Sequence, residues 1–163
     1  MFLKAIKRLY EYDAEATERV LRAAAMLEPE QFTAVVVPGL PSVRDTLVHT
    51  FDAHVCHLSW LDGSMSRDES FARKFPPGDY PDVQSVSEMW QWIHRGTRAF
   101  IDTLTADADL ERVYSRHSRD GRVLQQPLWE MMMHVVNHGT QHRSEAAVML
   151  TAMGQSPGVL DLL

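Results

Sequence analysis

Three histidines stand four residues apart in the stretch Met131-Met-Met-His134-Val-Val-Asn-His138-Gly-Thr-Gln-His142-Arg143. On an α-helix, residues i and i+4 lie one above the other on one face. Either adjacent pair, His134 with His138 or His138 with His142, can therefore offer two imidazoles to one divalent ion. All three cannot share an ion. His134 and His142 are eight residues apart, about 12 Å along the axis at roughly 1.5 Å per residue. Metal–nitrogen bonds of about 2 Å plus the reach of an imidazole do not span that. A pair from this helix needs a third ligand from another. An ion held by three protein groups keeps a position free, which distinguishes a catalytic centre from a structural one.

A second cluster, His49, His54 and His57, lies in a run that is apolar almost all round: Val43, Leu47, Val48, Phe51, Val55, Leu58, Trp60. Such a helix is buried on most sides. Its periodicity leaves the third ligand open. His54 shares a stripe with Leu47, Phe51, Leu58 and Leu61, and His49 shares one with Thr46, Ala53, Cys56 and Trp60. The smaller residues of the second stripe leave more room for an ion. Met131-Met132-Met133 reads as flexible core filler, and Cys56, the single cysteine, as core packing.

The elements that must position these groups are legible as helices. Leu3, Ile6, Leu9-Tyr10, Ala14, Thr17 and Leu21 recur at helical spacing and predict a first helix over 2–27. A loop should follow to Pro41, through the Pro38-Gly39-Leu40-Pro41 cluster. Ser42 suits an N-cap, with Asp45 in the first turn, for a second helix running to about Leu61, where Asp62-Gly63 stops it. Residues 63–83, with Pro76-Pro77-Gly78 and Pro81, form a long connection that suggests a crossover. Ser85-Val-Ser-Glu88 is a capping box for a third helix over about 85–105. Asp120-Gly121 between short alternating runs signals a hairpin, with strands at about 112–117 and 122–125. Pro127 suits the first turn of a fourth helix that runs to about Met153, with Gly154 as its cap. On that helix Leu128, Met131, Val135, His138, His142, Ala146, Met149 and Met153 share a stripe, so both histidines should face the core. The expected fold is all-α: one domain over 1–163, a four-helix bundle with one long crossover and a small β-hairpin before the last helix.

Composition bounds the function. The chain has 163 residues, 45% of them hydrophobic and 23% charged, as in ordinary globular domains. Its formal net charge of −6, with scattered arginines and no basic stripe, argues against nucleic acid. No apolar run approaches the roughly 20 residues of a membrane span. No secretory signal is expected, and a single cysteine permits no internal disulfide, which fits a reducing cytoplasm.

Three segments carry a resemblance to the DinB/YfiT-like family of bacterial four-helix bundles. Ser42-Val-Arg-Asp-Thr-Leu-Val-His49 resembles the family's S-hydrophobic-x-(D/E)-x-L-x-H start of the second helix. His134-Val-Val-Asn-His138-Gly-Thr-Gln-His142-Arg143 resembles its H-x-x-x-H-x-x-x-H-R run, and Met153-Gly-Gln-Ser-Pro-Gly-Val-Leu-Asp161 its L-G-x-x-P-x-x-x-D tail. The resemblance implies a metal triad at His49, His138 and His142, with His134 outside it. It implies a divalent metal (Zn, Ni or Fe), a small-molecule substrate, and transfer chemistry that uses a low-molecular-weight thiol such as mycothiol or bacillithiol. It also implies a homodimer. Many members carry Arg-Gly-Gln after the last histidine, where this chain has Arg143-Ser144-Glu145.

Three further residues stand close to the triad. Asp52 and Glu145, each three residues after a triad histidine, can orient a ligand imidazole or stand as solvated charges. Arg143 can hold a substrate carboxylate or phosphate, or form a salt bridge within the bundle. The expected function is a metal-dependent transferase or hydrolase acting on a small molecule. The alternative is a non-catalytic, stress-associated metal-binding bundle or an interaction module.

Overall fold

The computed structural model describes residues 1–117 and 120–162. It is mostly helical: α1 (Phe2–Ala24), α2 (Pro29–Thr33), α3 (Val43–Leu61), α4 (Arg67–Ala72), α5 (Val83–Asp102) and α6 (Leu128–Ala152), with a hairpin of β1 (Val113–His117) and β2 (Val123–Pro127) before α6. The four long helices are α1, α3, α5 and α6. Each packs against two others, α3 and α1 both meeting α5 and α6. No helix among the described residues is long and apolar enough to cross a membrane.

Local chemistry sets the helix ends. The Asp107 carboxylate accepts the backbone N–H groups of Phe2 and Leu3, closing the start of α1 from a distant part of the chain. α1 stops at Ala24, short of the expected 27, and the expected loop contains α2, whose Glu28 and Gln31 cap each other. Ser42 caps α3 as its sequence suggests, accepting from the Asp45 N–H at 3.1 Å. The connection after α3 is not bare: Ser66 and Glu69 form a capping box that starts α4. α5 begins two residues before the expected 85. Asp82 is its cap, accepting the Ser85 N–H at 2.8 Å, so Ser85 is the third helical residue and not the cap. Glu88 accepts instead from Gln84.

The hairpin pairs Val113 with Pro127 and His117 with Val123 in antiparallel register. Residues 118–119 of its connection lie outside the described residues. Pro127 ends β2 in extended conformation and does not open the helix, so strand passes directly into α6. Gly154 follows α6 at φ +80°, a left-handed conformation glycine adopts freely, and Gln155 N–H returns to the Leu150 carbonyl at 2.9 Å.

Two apolar clusters form the core. One gathers Val20, Phe32, Leu47, Phe51, Trp90 and Met149. The other gathers Ile6, Leu61, Phe100, Leu110, Leu128 and Met132. Between their positions on α1 and α6 lie the buried Asp13 and Arg143, with His54 of α3 against Asp13. The face of α6 that is fully buried runs through Val135, Val136, Gly139, Arg143 and Ala146. His138 and His142 are half-buried on its shoulder, not core-facing as the stripe suggested. Arg143 occupies the inward position because a carboxylate on α1 meets it there.

Candidate metal centre

His49 of α3 comes to His138 and His142 of α6 across the packed face of the two helices. Each of the three offers a ring nitrogen, and these nitrogens all lie within 4.8 Å of one another. Ring centroids are 4.4 Å apart for His138 and His142, 4.7 Å for His49 and His142, and 5.3 Å for His49 and His138. The Nε2 atoms of His138 and His142 are 3.2 Å apart. Two nitrogens bound tetrahedrally at about 2.0–2.1 Å from one ion would be about 3.3 Å apart. The donor set therefore fits a divalent metal. His49 is exposed and the other two half-buried, so the centre opens to solvent on one side.

Neighbouring groups orient one ligand ring and hold another neutral. The Glu145 carboxylate lies 2.6 Å from His142 Nδ1 and accepts a hydrogen bond from its N–H, which leaves the Nε2 lone pair free. Burial alone would push the Glu145 carboxyl up. Hydrogen bonds from His142 and Gln141 outweigh it and hold the group below the ordinary carboxylate range. Burial, with His142 and His49 nearby, pulls the His138 imidazole down to about 4. Its Nδ1 is buried and, among the described residues, has no hydrogen-bond partner, while its Nε2 faces His142.

The remaining candidates stand elsewhere. Asp52 accepts from Cys56 Sγ at 3.5 Å and, among the described residues, makes no hydrogen bond to His49. Burial, then Asp52, pushes the Cys56 thiol up to about 11, so it is a packed, protonated thiol. Arg143 is buried against α1. It pairs with Asp13, reaches Thr17 Oγ1 at 3.3 Å and Thr140 Oγ1 at 3.0 Å, and lies over the Tyr12 ring. His54 joins the same group, with Nε2 3.2 Å from Asp13 and Nδ1 3.1 Å from the Thr50 carbonyl. Burial pushes Asp13 up, but His54 and Arg143 more than reverse this and hold it ionised. Removing either member of a buried pair such as Asp13–Arg143 costs about 3–5 kcal/mol. Gly139 makes room for the group: a Cβ there would stand 2.8 Å from Arg143 Nη1 and 2.9 Å from Asp13 Oδ1.

Sequence reasoning missed Asp13 and the pairing of His57 with His134. Asp13 was visible in principle, since it falls on the buried stripe of α1 with Ile6, Thr17 and Val20, where an acid requires a partner. His57 and His134 have ring centroids 5.3 Å apart, and His134 lies 6.1 Å from His138. Five imidazoles thus form a continuous row along the α3–α6 face, three of them converging.

Comparison with known proteins agrees with this architecture. The chain is 22% identical over 156 residues to Protein DinB of Bacillus subtilis (strain 168), covering 94% of this chain and 89% of that protein. Its fold is similar to the crystal structure of a DinB-like protein from Bacillus cereus ATCC 10987, with a TM-score of 0.70, 18% identity and 96% of each chain covered. It is also similar to a conserved protein from Enterococcus faecalis, with a TM-score of 0.66, 17% identity, and 90% of this chain and 95% of that one covered. The model of the DinB family matches residues 1–163, and the chain belongs to that family.

Proposed function

We propose that this chain is a metal-dependent enzyme acting on a small molecule, with His49, His138 and His142 as ligands of one zinc, nickel or iron ion. The observation that carries this reading is the meeting of three ring nitrogens within 4.8 Å, one of them oriented by Glu145. A divalent ion on neutral imidazoles keeps its full charge and supplies Lewis acidity that eases loss of a proton from a water or a thiol. The reaction is transfer from or to a low-molecular-weight thiol, or hydrolysis, in keeping with the family resemblance.

The chain's own residues supply the rest. Glu145 fixes the tautomer and direction of the His142 ring. The exposed side of His49 leaves the approach open to a second molecule. The buried contacts of Arg143 favour its core role over a substrate clamp. We read the four long helices as a single-domain four-helix bundle that works as a homodimer in the cytoplasm.

Elemental analysis of the gently purified protein, followed by a screen of thiol cofactors against electrophilic substrates, tests this reading. One ion per chain and turnover that requires both metal and thiol, or metal alone for hydrolysis, is expected. Stoichiometric metal with no turnover across the screen would reduce the chain to a non-catalytic metal-binding protein. Failure to take up any of the three metals would end the metalloenzyme reading.

A further inference from the structure

Beside the three converging imidazoles, where the row continues to His134 and His57, the surface opens into a cleft of about 290 Å³. Its chemistry is unusual for this molecule. In a chain of formal net charge −6, two guanidinium groups, Arg67 and Arg116, line the same small cavity. Arg116 donates through Nε to Gln126 Oε1 at 3.0 Å. Among the described residues it meets no carboxylate, so its outer N–H groups remain for a ligand. Arg67 lies over Phe71, 4.8 Å from the ring centre, and also over Trp60, at 6.0 Å. Among the described residues its buried Nε has no partner, and its ion pair is with the exposed Asp68 at 3.4 Å. Glu130 also lines the cleft, but the Gln126 amide donates to it at 3.3 Å while accepting from Arg116. Gln126 thus separates that acid from the guanidinium.

We infer that this cleft binds a carboxylate-bearing organic molecule, its carboxylate on Arg67 and Arg116 and its apolar body against Trp60 and Phe71. A planar guanidinium fork matches a carboxylate in two parallel hydrogen bonds, and stacking on an aromatic ring holds the fork in place before the ligand arrives. Trp60, Phe71 and Met131 in the lining favour an organic anion over a small inorganic one. His134 lines the cleft and its ring centre is 6.1 Å from that of His138, so the cleft ends one side chain away from the metal centre. This names the substrate class of the site proposed above and rests on that proposal only for the reacting end.

The test titrates benzoate, with benzyl alcohol as its neutral counterpart, into metal-free and zinc-loaded protein by calorimetry. Benzoate should bind both forms, at least about tenfold more tightly than benzyl alcohol. Arg116→Gln and Arg67→Gln, each checked for fold by circular dichroism, should weaken benzoate about tenfold and leave zinc affinity unchanged. No benzoate binding, binding unaffected by both substitutions, or binding seen only with zinc loaded would overturn the inference. Benzoate binding in a protein that takes up no zinc would refute the metal centre and leave the cleft standing.

Discussion

Glu145 decides which nitrogen of His142 carries the proton. Its carboxylate, 2.6 Å from Nδ1, pins the hydrogen there and directs the lone pair of Nε2 toward His138. Outer partners of this kind orient a ligand and raise its basicity. Glu145→Ala should therefore weaken zinc binding about 10- to 100-fold, measured by competition with a chromophoric chelator. An unchanged affinity would mean that the carboxylate is only a surface charge. Asp52, the matching candidate beside His49, bonds to Cys56 instead. Spacing of three along a helix puts two residues on one side, but the rotamer decides which neighbour is met.

At the scale of elements, what could be read from the chain depended on how local the cause was. The Ser42 cap, the Asp120-Gly121 hairpin and the Gly154 stop arise within a few residues, and each stands where its chemistry placed it. The Ser85–Glu88 box failed because Asp82, three residues earlier, is the stronger acceptor and starts α5 sooner. Causes that cross the chain were less legible. Asp107 closes α1 from a hundred residues away, and Asp13 draws Arg143 into the core, turning α6 so that its histidines sit on the shoulder. That rotation matters for function, because a core-facing pair would be closed to a second molecule. The choice of His49 over His54 could not be made from periodicity on a helix buried nearly all round. The structure explains it: His54 is held by Asp13 and Thr50, while His49 faces α6.

The whole molecule sets buried polar residues beside two apolar clusters and carries buried and half-buried imidazoles. Burial pulls His57 from its ordinary 6.5 down to about 4, and lowers His94 in the same direction. Between those pH values the unfolded chain binds more protons than the folded one, so stability rises with pH there. It is complete above about pH 6.5 and is lost as the pH falls toward 4. Melting curves of the metal-free protein should show a falling Tm from pH 7 to pH 4.5. A constant or rising Tm would show that these rings are not held neutral.

The most direct test of the molecule as a metal centre is the zinc affinity and stoichiometry of the wild type beside four single variants. One ion per chain is expected, with a loss of about 100-fold or more in each of His49→Ala, His138→Ala and His142→Ala. His117→Ala, on the exposed hairpin strand, should match the wild type. Equal affinity in all five proteins would show that these three imidazoles do not share an ion.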